Sequence, residues 1–311
     1  MLKVVLAGGS GFVGRRLVRR LVARGDDVAV LAREPRAARA TLAPGARVLR
    51  WSLDPGPERD AWEREVDAAG AVVNLAGAGI MDRPWTPARK RELVASRVDV
   101  TLALAGAMAR RASEPRVLVS ASAVGVYGMR SDDTVLTEDA PPGTDFLADL
   151  CVRWEEAADA ARDAGIRVVH PRLGIVLGRD GGALAAMVRP FRLHAGGPLG
   201  PGNQWVSWVH ERDVVGALEL ALDTVGLSGP CNLVAPRPVT MNEEAQALAT
   251  ALGTHARARV PAFALTALLG AERAAVILSG QRASAGRLLA AGYAFAFPEI
   301  LPALRDLLEH P

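Results

Sequence analysis

"VVLAGGSGFVGRRL", residues 4–17, decides how this chain reads. An aliphatic run ends in Gly8, Gly9, Gly11 and Gly14, spaced G-x-x-G-x-x-G, and an amphipathic pattern follows at once. A strand, a glycine turn and a helix N-terminus form the context in which such spacing carries chemistry. Glycine lets the backbone turn sharply and approach a pyrophosphate closely. The helix then offers free N–H groups and the positive end of its dipole to that anion. The stretch therefore predicts a dinucleotide site formed by Gly8, Gly9, Ser10, Gly11, Phe12, Val13 and Gly14.

Working outward, short β-rich runs alternate with helical patterns. The strands are "KVVLA" (3–7), "DVAVLA" (27–32), "ARVLRW" (46–51), "AVVNLA" (71–76), "RVLVSA" (116–121) and "RVVHPR" (167–172). Helices are expected from Phe12 to Arg24, Thr86 to Arg111 and Asp145 to Ala164, with only a partial helix between the second and third strands. Near-continuous apolar strands separated by helices imply an α/β fold, a Rossmann-type doubly wound parallel sheet. Past residue 180 the pattern changes. A helix (182–195) leads into the Gly/Pro-rich "GGPLGPGNQ", then the strand "WVSWVH" and the helix "ERDVVGALELALD". From residue 241 the chain reads as mostly helical, punctuated by Pro261, Pro298 and Pro302. The expected organisation is a nucleotide-binding domain over 1–240, with substrate-side insertions from about 172, and a smaller, mostly helical C-terminal substrate-side domain over 241–311.

Composition narrows the function classes. Half of the 311 residues are apolar and only 5% are aromatic, which suits an Ala/Val/Leu core and excludes a disordered chain. The formal charge is +3, and the only lysines are Lys3 and Lys90. Arginines are spread along helices such as "GRRLVRRLVARG", without a basic block and interleaved aromatics, so no nucleic-acid partner is expected. No apolar run reaches the roughly 20 residues that span a bilayer, so no membrane segment is expected. The chain enters its first strand directly, so no leader is expected, and Cys151 and Cys231 make no disulfide framework. A cytoplasmic monomer or homodimer is the expectation. No His/Cys/Asp/Glu group has metal-ligand spacing, so no metal is expected.

The second strand ends "VLAREP". A nucleotide without a 2′-phosphate is usually held there by an acidic residue on its ribose. Arg33 stands there instead, with Arg36 close behind. A guanidinium pairs bidentately with a 2′-phosphate that a carboxylate would repel, so NADP(H) is preferred over NAD(H).

With these residues, "NLAG" (74–77) and "SASAVGVYG" (120–128), residues 1–235 resemble the extended short-chain dehydrogenase/reductases, the NAD-dependent epimerase/dehydratase family. The stretches at 74–101, 150–158, 196–210, 259–270 and 277–295 are similar to one atypical subgroup, the YfcH-like proteins, which carry a C-terminal DUF1731 domain. The resemblance implies that Leu75, Ala76, Gly77, Ser120 and Pro171 also line the cofactor. It further implies a catalytic Ser or Thr, a Tyr-x-x-x-Lys pair and a helper Asn. There the lysine lowers the tyrosine's pKa, because a free phenol at about 10 is a poor base near neutrality. This chain has Ser131 four residues after Tyr127 and Phe297 four after Tyr293, so the pair is missing. Alignment puts Leu147 at the tyrosine position, Cys151 at the lysine position and Arg97 at the helper position, and keeps the serine as Ser122.

Ser122, Tyr127, Cys151 and Arg97 are thus the catalytic candidates. A thiol beside Arg97 or Arg153 would ionise more easily. Yet Leu147, Leu150, Cys151, Trp154 and Ala158 have helical core spacing, and both readings of Cys151 stand. Tyr127, in a glycine-flanked loop, is a substitute donor or a ring packed in place. Val206 occupies a position where sugar-nucleotide members of the family carry an arginine, which argues against a sugar-nucleotide substrate. Trp205 and Trp208 alternate with Val206 and Ser207, and so are expected to share a side, as walls of an apolar pocket or as core. Gln281 and Arg282 would reach the site from the C-terminal part; His210 and Asp213 read as structural. Two functions follow. One is an NADP(H)-dependent oxidoreductase or epimerase-like protein acting on an unknown small molecule. The other is a non-enzymatic NADP(H)-binding sensor or scaffold with a regulatory role.

Overall fold

The computed structural model describes residues 1–110 and 116–309. Among them, strands β1 (Lys3–Ala7), β2 (Asp27–Ala32), β3 (Arg47–Arg50), β4 (Ala71–Asn74), β5 (Val117–Ser120), β6 (Arg167–Leu173) and β7 (Gly229–Leu233) form one parallel sheet in the order 3-2-1-4-5-6-7. A short strand, Ser122–Ala123, prolongs β5 along β6. The order reverses between β1 and β4, the switch point at which such sheets bind ligands.

Alternation along β1 explains the two-sided core. Val4 and Leu6 pack with Leu17, Val18 and Leu21 of α1 (Phe12–Arg24) and Val214 and Leu218 of α7 (Glu211–Asp223). Val5 and Ala7 pack on the other face with Trp62 and Val66 of α3 (Pro57–Asp67), Leu104 and Met108 of α4 (Pro87–Ala109), and Ala158 of α5 (Phe146–Asp159). The link between β2 and β3 carries the short α2 (Pro35–Thr41). The expected strands agree with the structure to within two residues. The end of the helix expected to reach Arg111, and the last two residues of the chain, lie outside the described residues. Helix α3, β7 and several strands of two to four residues come in addition to those expected. Helix α3 starts on Pro57, with Glu58 and Asp60 in its first turn, and β7 closes the sheet edge.

"WVSWVH" is not one strand. Trp205–Val206 pairs with Val239–Thr240, whereas Trp208–His210 pairs with Ile175–Leu177 in another sheet. Ser207, at the break, donates its hydroxyl to Gln281 O (2.7 Å) and accepts from Ala283 N–H (2.9 Å). Beyond α6 (Leu184–Arg192), helices α8 (Met241–Ala251), α9 (Ala262–Leu269), α10 (Ala271–Leu278), α11 (Gly286–Ala290) and α12 (Ile300–Glu309) complete the described chain. They are sewn to the sheet domain. Asp213 accepts from Ala296 N–H and Phe297 N–H, at 2.7 and 3.0 Å, and Arg282–Ala283 pairs with Val135–Leu136. Among the described residues no helix is long and apolar enough to cross a membrane.

Candidate nucleotide site and adjoining side-chain cluster

The register brings the nucleotide candidates to one edge. Ala7 pairs with Leu31 and with Asn74, and Asn74 pairs with Ser120, so the C-terminal ends of β1, β2, β4 and β5 are level. Gly8 has φ +75°, and a Cβ there would stand 2.5 Å from the Leu75 carbonyl carbon. Gly11 N–H donates to Gly8 O at 3.0 Å and closes the turn. A Cβ on Gly14 would lie 2.2 Å from Gly8 O, so glycine is what lets α1 start against the turn. No side chain caps the N-terminus of α1, and its first turn holds no acid. By contrast, Asp145 caps α5, and Thr240 with Glu243 forms a capping box on α8. The open end of α1 fits an anion.

Each other cofactor candidate has a definite place. Gly9 lies against Val30, Ser10 is exposed, and Val13 packs against the sheet core. The Phe12 ring turns into the hollow left by Gly178, Gly181 and Gly182, with the Arg16 guanidinium 4.3 Å above it, so only its backbone faces the turn. Leu75 N–H donates to Ala7 O at 2.9 Å, and Ala76 N–H to Asn74 Oδ1 at 3.1 Å. Gly77 faces Arg97. Arg33 is exposed two residues beyond Leu31, without a hydrogen-bond or ion-pair partner among the described residues. Ser120 is fully buried, and its Oγ has no hydrogen-bond partner among the described residues. Pro171 lies buried in β6, where the ladder to β5 is interrupted between Val119↔Val169 and Ser122↔Arg172, so its missing N–H is tolerated.

The four catalytic candidates fall into one connected cluster. Leu147 and Cys151 face Gly125, whose Cβ would lie 3.7 Å from Leu147 Cβ and 3.8 Å from Cys151 Sγ. Cys151 lies beside Ser122 and the Ala123 backbone. Ser122 Oγ donates to Glu155 Oε1 at 2.6 Å, and Arg172 grips both oxygens of Glu155 at 2.9 Å. Arg172 also donates to Tyr127 Oη and to Glu138 O, each at 3.0 Å. Tyr127 Oη donates to Asn232 Oδ1 at 2.6 Å, and Asn232 Nδ2 donates to Leu136 O and Ser284 O, both at 3.1 Å. Arg97 completes the group from α4, with its guanidinium 5.2 Å from the centre of the Trp154 ring.

Electrostatics follow from burial. Burial and the nearby Glu155 push the Cys151 thiol up to about 12, against the pull of Arg97. Desolvation thus outweighs the cation, which disfavours the activated thiolate and favours Cys151 as a packed residue. Burial also raises Tyr127. The expectation of Tyr127 as substitute donor meets a residue 1% exposed, whose hydroxyl is already committed to Asn232.

The shared tryptophan wall is corrected too: residues three apart lie on opposite faces of a strand, and the break at Ser207 also puts the two in different sheets. Trp208 is fully buried with Leu248 and Leu304, its Nε1–H on Arg237 O at 3.1 Å. Trp205 is half-buried; its Nε1–H meets Asp133 Oδ1 at 2.7 Å and the Arg282 guanidinium lies 4.3 Å over its ring. Gln281 donates to Gly128 O at 2.7 Å and steadies the loop after Tyr127. His210 caps α7, stacks on Phe297 at 3.9 Å, and is lowered to about 4, chiefly by burial. Among the described residues no group of three His, Cys, Asp or Glu side chains is placed to hold a metal.

Sequence reasoning missed Glu155, Arg172 and Asn232. Two signals were available. Glu155 lies one helical turn after Cys151, and Arg172 is a charge inside an otherwise buried strand.

Comparison with known proteins agrees with this geometry. Residues 4–233 match the model of the NAD dependent epimerase/dehydratase family, and residues 260–307 match the domain of unknown function DUF1731. The epimerase family protein SDR39U1 homolog, chloroplastic, of Arabidopsis thaliana is 40% identical over 99% of this chain and 87% of its own length. The Bos taurus epimerase family protein SDR39U1 is 38% identical over 99% of this chain and all of its own. A crystal structure of human epimerase family protein SDR39U1 (isoform 2) with NADPH superposes with a TM-score of 0.85, at 34% identity, over 99% of both chains. This chain belongs to the NAD dependent epimerase/dehydratase family, as an atypical extended short-chain dehydrogenase/reductase with a C-terminal DUF1731 domain.

Proposed function

We propose that the protein binds NADP(H) and acts as an oxidoreductase or epimerase-like enzyme on a small molecule, without a Tyr-x-x-x-Lys pair. The observation that carries the reading is the open N-terminus of α1 behind a turn that only glycine can make. The relative solved with NADPH supports it. Backbone N–H groups of Ser10, Phe12 and Val13 would hold the pyrophosphate, Arg33 the 2′-phosphate, and Leu75 to Gly77 with Ser120 the inner rim. When bound, the nicotinamide supplies hydride transfer. The chain's own part is to position and to stabilise charge. The Glu155–Arg172 pair holds Ser122 and Tyr127 in place, and Arg97 offers a fixed positive charge.

A second reading, a non-enzymatic NADP(H) sensor or scaffold, is favoured by one observation. The hydroxyls of Ser122 and Tyr127 are spent on internal acceptors, and the Cys151 thiol stays protonated. The test is a fluorescence titration with NADPH, NADP⁺, NADH and NAD⁺, followed by a screen of carbonyl compounds for a change in nicotinamide absorbance. Micromolar NADPH binding with a substrate-dependent absorbance change supports the enzyme. Binding without turnover supports the sensor. Absence of binding by every nucleotide sinks both.

A further inference from the structure

Arg97 lies within α4 and is 9% exposed. Its guanidinium rests against Gly77 at the end of β4, where a Cβ would stand 2.9 Å from Cζ. Its hydrogen bonds all go to neutral oxygens: Ala78 O at 3.0 Å, Leu93 O at 3.2 Å and Ser96 Oγ at 3.5 Å. Among the described residues no carboxylate pairs with it.

The carboxylates around it are engaged by other arginines, Glu92 by Arg83 as well as by Arg89. Arg89 meets Glu92 at 2.8 Å, and Arg172 meets Glu155 at 2.9 Å. One positive charge is left over in a desolvated place, where charges are ordinarily paired. Burial brings the Arg97 pKa down to about 10, with the like charge of Arg89 adding to the effect. Other arginines here show what a structural role looks like. Arg167 reaches the carbonyls of Ala221 and Leu222 at the end of α7, and Arg273 that of Leu269 at the end of α9. Both sit at the negative end of a helix dipole. Arg97 instead bonds Leu93 O, inside α4.

We propose that Arg97 is an anion-binding group of the site, and that the small molecule taken beside the nucleotide carries a carboxylate. The inference rests on the nucleotide-binding reading and adds the chemical class of the second ligand. A planar carboxylate meets a guanidinium through two parallel N–H···O bonds. A single uncompensated charge balances a monoanion; a phosphate dianion would leave one negative charge buried. The position, at the level ends of β1, β4 and β5, is where doubly wound sheets take ligands. Gly77 is part of the device, since a side chain there would displace the guanidinium.

The experiment is calorimetric titration of the NADP⁺-saturated protein with formate, acetate, oxamate and inorganic phosphate, with melting curves, for wild type, Arg97→Gln and Arg97→Lys. The expected result is carboxylate binding by wild type and a loss of affinity of about tenfold or more in Arg97→Gln. The melting temperature of Arg97→Gln should equal or exceed that of wild type, because an unpaired buried charge is gone. Arg97→Lys keeps the charge without the fork and should bind carboxylate several-fold more weakly; it decides the matter if the glutamine variant does not fold. Wild type that binds no carboxylate, wild type that prefers phosphate, or variants that bind carboxylate as wild type does would each overturn the proposal. Should NADP⁺ itself not bind, the nucleotide reading fails, and the same titration without nucleotide still decides the role of Arg97.

Discussion

Residues 8–14 and the cluster running from Tyr127 to Cys151 share one edge of the sheet, but they are made of different material. The first is backbone. Its shape comes from glycines that permit contacts no Cβ could survive, and its ligand-facing groups are N–H donors. The second is side chain. A buried carboxylate and guanidinium link Ser122 to Tyr127, and a desolvated thiol and arginine stand beside them. The contrast separates two kinds of vulnerability. A backbone site fails through one added methyl group; a side-chain site fails through one removed charge.

The largest expected effect is on the side-chain half. Glu155→Ala leaves Arg172 buried without its carboxylate and should destabilise the protein by about 3–5 kcal/mol in urea unfolding. A loss under about 1 kcal/mol would mean that the pair does not hold the cluster together. Next comes the backbone half. Gly14→Ala forces a contact with Gly8 O and should cost about 1–3 kcal/mol, while far-UV circular dichroism stays native and micromolar NADPH binding disappears. Retained NADPH affinity in that variant would erase the distinction drawn here. Arg33→Ala sharpens the comparison at the rim. It should weaken NADPH about tenfold, roughly 1.4 kcal/mol, and leave NADH unchanged, in paired fluorescence titrations.

The smallest effect concerns Cys151. Its folded pKa, about 12, lies above the ordinary thiol value of 9.0, so the folded state holds the proton longer than the unfolded state does. The thiol's contribution to stability is whole below pH 9 and is lost as pH climbs from 9 toward 12. Near pH 8, a thiol-disulfide reagent should label neither Cys151 nor Cys231 in the native protein and both in denaturant. Fast native labelling of Cys151 would restore the reactive-thiol reading.

Much of the nucleotide half was legible before any coordinates. The α1 boundaries, the first two strands and the turn followed from patterns a few residues long. The side-chain half was legible only in part. Alignment pointed to Ser122, Cys151 and Arg97, and the structure does bring them together, but the partners that govern them lie far away in the chain. Tyr127 reads as a loop phenol until Asn232, 105 residues later, accepts its hydrogen bond. The "WVSWVH" reading misled because residues 205 and 208 are three apart, a spacing that a period of two puts on opposite faces, and because the stretch also divides between two sheets.

The sequence by itself determined the doubly wound architecture and the glycine turn, since hydrophobic period, glycine freedom and helix dipole act over a few neighbouring residues. Only the tertiary structure decided what the remaining polar groups do. Glu155 meets Ser122 across 33 residues and Arg172 across 17, and Arg172 meets Tyr127 across 45. Those contacts exist only once β6, β7 and α5 have assembled. Burial in the packed molecule raises the Cys151 pKa and lowers that of Arg97, which meets no carboxylate among the described residues, because desolvation is a property of the packed molecule and not of any stretch of the chain.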